Sequence, residues 1–292
     1  TLAGVSGLGD QSLVVGSADV RRFGAMQRDA EWVCARTLEA YGKHYTIAFP
    51  HEEYESGRPL IVSPLYVRLK ALGAFFGSKL GWERPNWFAP RRVEPEDVYS
   101  MGRQNWFPHV GAEHTACRER VALFDQSSFA KFELQGPDAE AALSWICANQ
   151  VAVPNGRVVY TQMLNSRGGI ECDLTVARLA EDRYYIVTGT GFRTHDGAWI
   201  RQHIGERKAE LIDVTEDFGT LSLFGPRARD VLQAVTDADV SNAAFPFGQM
   251  REIAIAGHKV RALRLTYVGE LGWELHMPIA ALGPVFDALM AA

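Results

Sequence analysis

From about residue 130 onward, apolar residues alternate in short runs typical of strands, broken by stretches with helical spacing, and one order of elements occurs twice. Phe132-Glu133-Leu134-Gln135-Gly136-Pro137-Asp138-Ala139 is matched by Leu221-Ser222-Leu223-Phe224-Gly225-Pro226-Arg227-Ala228. Each reads as a strand, a sharp turn at glycine, and a helix whose first turn tolerates proline because its missing N–H would have no partner there. The first copy continues with a helix at about 137–148, strands near 157–165, 170–179 and 184–190, and a helix over 193–204. The second continues with a helix at about 226–236, strands near 250–256, 258–267 and 272–278, and a final helix. The pattern predicts an α+β fold of two pseudo-symmetric repeats packed about a two-fold, with ligands expected at the internal interface.

The first 92 residues do not share this repeat. Gly4, Gly7 and Gly9 followed by Leu13-Val14-Val15 read as loop and strand, and residues 25–41 have helical spacing. The glycines are no dinucleotide motif, which needs a strand before it and a helix straight after. Residues 50–95, rich in Pro, Gly, Arg and Trp, read as a connecting domain, with one helix over 63–76 ending near Gly77. Arg84-Pro85-Asn86-Trp87-Phe88 is echoed by Arg103-Gln104-Asn105-Trp106-Phe107. Exposed Trp and Arg favour recognition surfaces, while Trp filling a seam with Arg stacked on it is the plainer reading. The expected division is 1–35, 36–92 and 93–292.

Composition narrows the partners. The 292 residues are 47% hydrophobic and 22% charged, the balance of a folded globular chain. A formal charge of -5 with no basic cluster gives no reason to expect nucleic acid. No apolar run reaches the roughly 18 residues that span a bilayer, so no membrane partner is expected. Cys34, Cys117, Cys147 and Cys172 form no CxxC and read as free thiols. The eight histidines make no HxxxH or HExxH pattern, His195 reads as a helix-face residue, and no metal site is expected. The chain opens on Thr1 and stops within the apolar spacing of Leu282, Val285, Phe286 and Leu289, so both ends read as cut.

Two places could carry chemistry. Residues 160–165 and 170–176 flank the turn-rich Asn165-Ser166-Arg167-Gly168-Gly169, which puts Asp173 in mid-strand. Period-two alternation sets Asp173 and Thr175 on one face and Cys172, Leu174 and Val176 on the other. A carboxylate there is either a polar group on a solvated sheet face or, if the face lines a cavity, a group whose desolvation suits proton exchange. In the second repeat, Tyr267, Val268, Gly269 and Glu270 form a hairpin turn that could offer a stacking ring and an acceptor for an amino-pyrimidine edge, or could simply be solvated.

Tyr160-Thr-Gln-Met-Leu-Asn followed by Gly168-Gly169 and Asp173-Leu-Thr-Val, then Tyr267-x-Gly-Glu270 before Gly272-Trp273-Glu274-Leu275, resembles the folate-binding aminomethyltransferase fold of the glycine-cleavage T-protein from about Val93 onward. Asp19-Val-Arg-Arg-Phe, His51-Glu-Glu, Ser63-Pro-Leu-Tyr and Gly81-Trp-Glu-Arg-Pro-Asn-Trp-Phe resemble the bridging region of sarcosine and dimethylglycine dehydrogenases. The resemblance implies an α+β aminomethyltransferase fold, C-terminally truncated, behind a smaller bridging domain and the edge of a flavin-dependent region. It implies that Asp173 is the catalytic carboxylate, that Tyr160 contacts folate, and that Tyr267, Val268, Gly269 and Glu270 hold the pterin. In such enzymes a flavin domain, on the same polypeptide or a partner chain, uses FAD to oxidise an N-methylated glycine. The one-carbon unit then passes to tetrahydrofolate as 5,10-methylenetetrahydrofolate. The flavin site lies outside this chain, which by itself is not expected to oxidise amines. The alternatives are a non-catalytic regulatory or binding module of the same fold and a glycine-cleavage aminomethyltransferase. The expected location is the bacterial cytoplasm or the mitochondrial matrix.

Overall fold

A computed structural model describes residues 26–292 of the chain. The loop-and-strand reading of residues 1–25 and the Asp19-Val-Arg-Arg-Phe motif lie outside the described residues. Those described fall into two compact units, one of residues up to 48 with 54–58, the other of 49–53 with 59–292.

The smaller unit is built on α1 (Ala30–Lys43), started by Asp29, whose carboxylate accepts from the Trp32 N–H at 2.8 Å. The Glu39 carboxylate accepts from the N–H groups of Glu55 and Ser56, which overcome its burial and lower it to about 2. Gly57, at φ 64°, lies against the Trp32 ring, where a Cβ would meet Cδ1 at 2.7 Å.

The larger unit opens with α2 (Tyr66–Ala71) and the antiparallel pair β1 (Ala74–Lys79) and β2 (Trp82–Phe88). The helix expected over 63–76 therefore ends early. Gly73, at φ 91°, turns the chain so closely under Ala89 that a Cβ would lie 2.5 Å from its carbonyl oxygen, and the aromatic run after it pairs as strand. Trp87, 1% exposed, donates to Asp97 and stacks on His109, while Arg84 and Arg103 sit over the rings of Phe129 and Phe107. Of the two echoed motifs, the first Trp is core filler. His109 and His114 ride on α3 (Phe107–Glu119).

The repeat follows as expected. Its first copy comprises β3 (Ala122–Asp125), β4 (Ala130–Gln135), α4 (Ala139–Ile146), β5 (Val158–Leu164), β6 (Ile170–Ala180), β7 (Arg183–Thr188) and α5 (Arg193–Ile204). Its second comprises β8 (Glu210–Asp213), β9 (Phe218–Phe224), α6 (Ala228–Ala234), β10 (Met250–Ile255), β11 (His258–Leu263), β12 (Gly272–Pro278) and α7 (Leu282–Ala291). The two sheets have the orders β5-β6-β7-β4-β8 and β10-β11-β12-β9-β3, the same under exchange of copies. Each leading strand thus completes the other copy's sheet: β3 pairs with β9, and β8 with β4.

Local chemistry is duplicated too. Asp125 accepts from the Ser127 N–H and Asp213 from the Thr215 N–H, both at 3.0 Å, turning each leading strand toward the next. Gly136 and Gly225, at φ 130° and 136°, each abut the chain leading into the exchanged strand. The outer faces of the sheets bury their apolar rows under helices, Phe132, Leu174 and Ile186 against α4 and α5, Leu221, Val260 and Leu275 among residues of α6 and α7. Between the sheets lie Val158, Ala177, Tyr185, Val187, Val214 and Leu263. Buried polar groups share that seam: Tyr185 Oη is 3.1 Å from His276 Nδ1, and Arg261 pairs with Glu133 at 2.8 Å.

Candidate functional site

The long hairpin β5–β6 carries the first half of the site. Gln162 stands opposite Asp173 and Tyr160 opposite Thr175, so all four share the face turned toward the second sheet. The alternation is as read from the sequence: Cys172, Leu174 and Val176 are buried among helices, Asp173 is exposed, and Thr175 is intermediate. Asp173 therefore meets solvent, and the enclosure that would desolvate its carboxylate is not formed. Its partner is the Tyr160 phenol, 60% exposed, which donates to the Asp173 carboxylate and accepts from the Gln162 amide. The hydrogen bond to Asp173, ahead of burial, holds that phenol above its ordinary range.

The second half comes from the loop after β11. That strand ends at Leu263, short of the expected 267, because Arg264 turns its guanidinium to Asn242 Oδ1 at 2.6 Å and to the Phe245 carbonyl. Residues 264–271 then cross to β12 as an open loop. Tyr267 projects from it at 89% exposure, near enough to Tyr160 to act on its phenol electrostatically. Val268 is exposed, and Gly269, at φ 85°, has open space where a Cβ would lie. Glu270 is held elsewhere: its Oε1 accepts from Arg118 of α3 at 2.5 Å. It adds to the burial that raises the Cys117 thiol on the same helix. No hydrogen bond joins Glu270 to Asp173 or Tyr160 among the described residues.

The structure thus pairs Tyr160 with Asp173, sets Tyr267 of the second repeat near enough to act on Tyr160, and ties the loop residue Glu270 to Arg118 of α3. Sequence reasoning missed Gln162, although it lies two residues from Tyr160 on one strand face, and Arg118, which no local pattern marks. The N-terminal ends of β5 and β10 are laced by Val158 N–H to Gly248 O at 2.9 Å and Met250 N–H to Gly156 O at 2.7 Å, fixing one repeat's hairpin against the other. A concavity of about 390 Å³ lies away from these residues, walled by Pro50, His51, Arg103, Trp106 and Phe107. No helix among the described residues is long and apolar enough to cross a membrane.

Comparison with known proteins places this geometry. Residues 65–292 match the model of the GCVT N-terminal domain, and residues 9–63 that of the FAD dependent oxidoreductase central domain. Human mitochondrial sarcosine dehydrogenase is 40% identical over 94% of this chain and 34% of its own length. Human mitochondrial dimethylglycine dehydrogenase is 34% identical over 94% of this chain and 32% of its own. The chain therefore spans about a third of these relatives. The glycine cleavage aminomethyltransferase T of Bartonella henselae superposes with a TM-score of 0.63 at 28% identity, covering 79% of this chain and 57% of that one. With the repeat, the strand order and these matches in agreement, the chain belongs to the GCVT N-terminal domain family.

Proposed function

We propose that this chain is the folate-handling part of a flavin-dependent N-methylamine dehydrogenase. In this reading residues 1–35 border the flavin-dependent region, residues 36–92 bridge, and residues 93–292 carry the folate fold. A flavin domain elsewhere in the whole protein, with FAD, oxidises the N-methyl group of sarcosine or dimethylglycine. Tetrahydrofolate supplies the nitrogens that accept the released carbon. The whole protein works in the bacterial cytoplasm or the mitochondrial matrix.

The observation that carries the reading is the Tyr160–Asp173 pair with Tyr267 beside it. Two tyrosine rings this exposed, one of them hydrogen-bonded to a carboxylate, fit a flat heteroaromatic ligand with protonated nitrogens. Asp173 takes a proton from the reacting nitrogen and offsets positive charge that develops there, an effect of about 10²- to 10⁴-fold for a positioned acid–base group. Tyr160, held between Gln162 and Asp173, orients that carboxylate. With Arg118 on Oε1, Glu270 offers Oε2 to the amino-pyrimidine edge.

The test is a calorimetric titration of tetrahydrofolate, reduced and oxygen-free, into this chain and into its Asp173→Asn and Glu270→Ala variants, each checked for fold by circular dichroism. Saturable binding is expected, weakened about tenfold or more by Glu270→Ala, as for loss of a charged hydrogen bond. No heat from folded protein would count against the folate reading and favour a binding module of the same fold.

A further inference from the structure

The face of β6 opposite Asp173 holds a second cluster that the folate reading does not use. Cys172 is 2% exposed there, and His195 and Asp196 come from the first turn of α5, Asp196 at 1% exposed. One donor atom from each of the three lies within 4.8 Å of the other two. His195 Nδ1 is 2.9 Å from Asp196 Oδ1, and its Nε2 faces Glu171 Oε2 at 3.7 Å. The second oxygens of the carboxylates are engaged: Thr188 Oγ1 donates to Asp196 Oδ2 at 2.6 Å, and Asn165 Nδ2 to Glu171 Oε1 at 2.7 Å.

Charge makes this arrangement unusual. Among the described residues, His195 is the one ionisable cation paired with either Asp196 or Glu171. Even with the imidazole protonated, two largely buried carboxylates leave one negative charge uncompensated, which is costly away from water. A divalent cation removes that excess. The donor set of one sulfur, one nitrogen and one oxygen suits a borderline-soft ion rather than calcium or magnesium, which take oxygen ligands. Ligands about 2.0–2.3 Å from such an ion stand roughly 3.3–3.8 Å apart, so the present donors need shift by only about an ångström. An imidazole whose far nitrogen faces a carboxylate is also the usual outer support of a metal-bound histidine.

We propose that Cys172, His195 and Asp196 form a binding site for a zinc-class divalent cation, with Glu171 orienting the imidazole and water completing the coordination. The half-exposed His195 ring forms the way in. On binding, the Cys172 S–H bond breaks, its proton leaves to solvent, and a sulfur–metal bond forms. Without a cation, burial and then the Asp196 charge keep the sulfur as a neutral thiol. The occupied site bears on the other face of the strand, because Thr188 Oγ1 lies 2.6 Å from Asp196 Oδ2 and 3.5 Å from the Asp173 carbonyl. A cation would fix the backbone that carries Asp173. No sequence spacing announces the site, since its ligands come from a strand and a helix more than twenty residues apart.

The experiment is a titration with cadmium chloride in a Cys34→Ser background, which removes the exposed thiol. It follows the ultraviolet sulfur-to-cadmium charge-transfer band and, by calorimetry in two buffers of different ionisation heat, the protons released. One cadmium per chain is expected, with release of about one proton. Zinc should displace the cadmium and abolish the band. Cys172→Ser should lack the band, and His195→Ala, at a half-exposed position that leaves the fold intact, should bind more than about tenfold more weakly. A folded protein with no band, a band that survives Cys172→Ser, or an affinity unchanged in His195→Ala would each overturn the proposal.

Discussion

Among single residues, Lys131 is the most unusual. It lies on β4 with no exposed surface, and its Nζ donates to the Ser127 carbonyl at 2.8 Å. Burial, with Arg193 adding to it and Asp125 and Asp213 opposing, lowers its pKa from 10.5 to about 7. Below pH 7 both folded and unfolded chains carry the charge, and the folded state bears the full desolvation penalty. Between 7 and 10.5 the unfolded chain holds the extra proton, so stability rises with pH through that window. Lys131→Met should therefore stabilise the protein by a few kcal/mol near pH 6, and the gain should vanish near pH 10, where only the lost hydrogen bond of about 1 kcal/mol counts. Urea midpoints measured across that range check it, and a gain independent of pH would mean that Lys131 keeps its proton on folding just as in the unfolded chain. At this scale the mid-strand placement of Asp173 was legible, because a carboxylate in a strand breaks the composition of strands. Arg118, Gln162 and Asp196 were not: each matters through a neighbour that folding brings, and no local rule is broken at its position.

Elements were legible wherever a local device fixed them. The helix expected over 193–204 is Arg193–Ile204, and the strand over 272–278 is Gly272–Pro278. The helix expected from 137 begins instead at Ala139, since Pro137 and Asp138 belong to the turn closed by the Ala139 N–H on Gly136 O. That turn depends on glycine by geometry. A Cβ on Gly136 would stand 2.4 Å from the Lys208 carbonyl oxygen, and one on Gly225 2.5 Å from that of Arg120, both at positive φ. Neither carbonyl can retreat, because each also accepts a hydrogen bond, from the Asp138 and Arg227 N–H groups. Gly136→Ala and Gly225→Ala should each cost about 3 kcal/mol or more. Gly168, also at positive φ but with open space beside it, should cost only about 1 kcal/mol as alanine. Chemical denaturation of the three variants tests the contrast, and equal losses would show that backbone conformation, not the approach of the exchanged strand, sets the requirement. Where no such device exists the reading slipped, as at 74–76, where Phe75 and Phe76 suit helix and strand alike until β2 claims them.

At the scale of the molecule, the exchange of leading strands decides how the two repeats depend on each other. The sequence carries a trace of it, since Leu123-Phe124-Asp125 and Leu211-Ile212-Asp213 stand at nearly the same distance ahead of the two Gly-Pro turns. The choice of sheet for a four-residue strand, though, is a long-range pairing that no local pattern encodes. With β3 lodged on β9 and β8 on β4, either repeat alone would expose an unpaired edge along β4 or β9 and leave its own leading strand without a sheet. The seam adds to this, since Arg261 of the second repeat is paired with Glu133 of the first and lies over Tyr185. The two repeats should consequently open together. Native-state hydrogen exchange on β7 and β12, one in each sheet, should give the same opening free energy within a few tenths of a kcal/mol and the same dependence on denaturant. Clearly separate free energies would mean that each sheet holds without the other's strand. The juxtaposition of Tyr160 and Asp173 with Tyr267 would then be a docking of independent parts rather than a consequence of the fold.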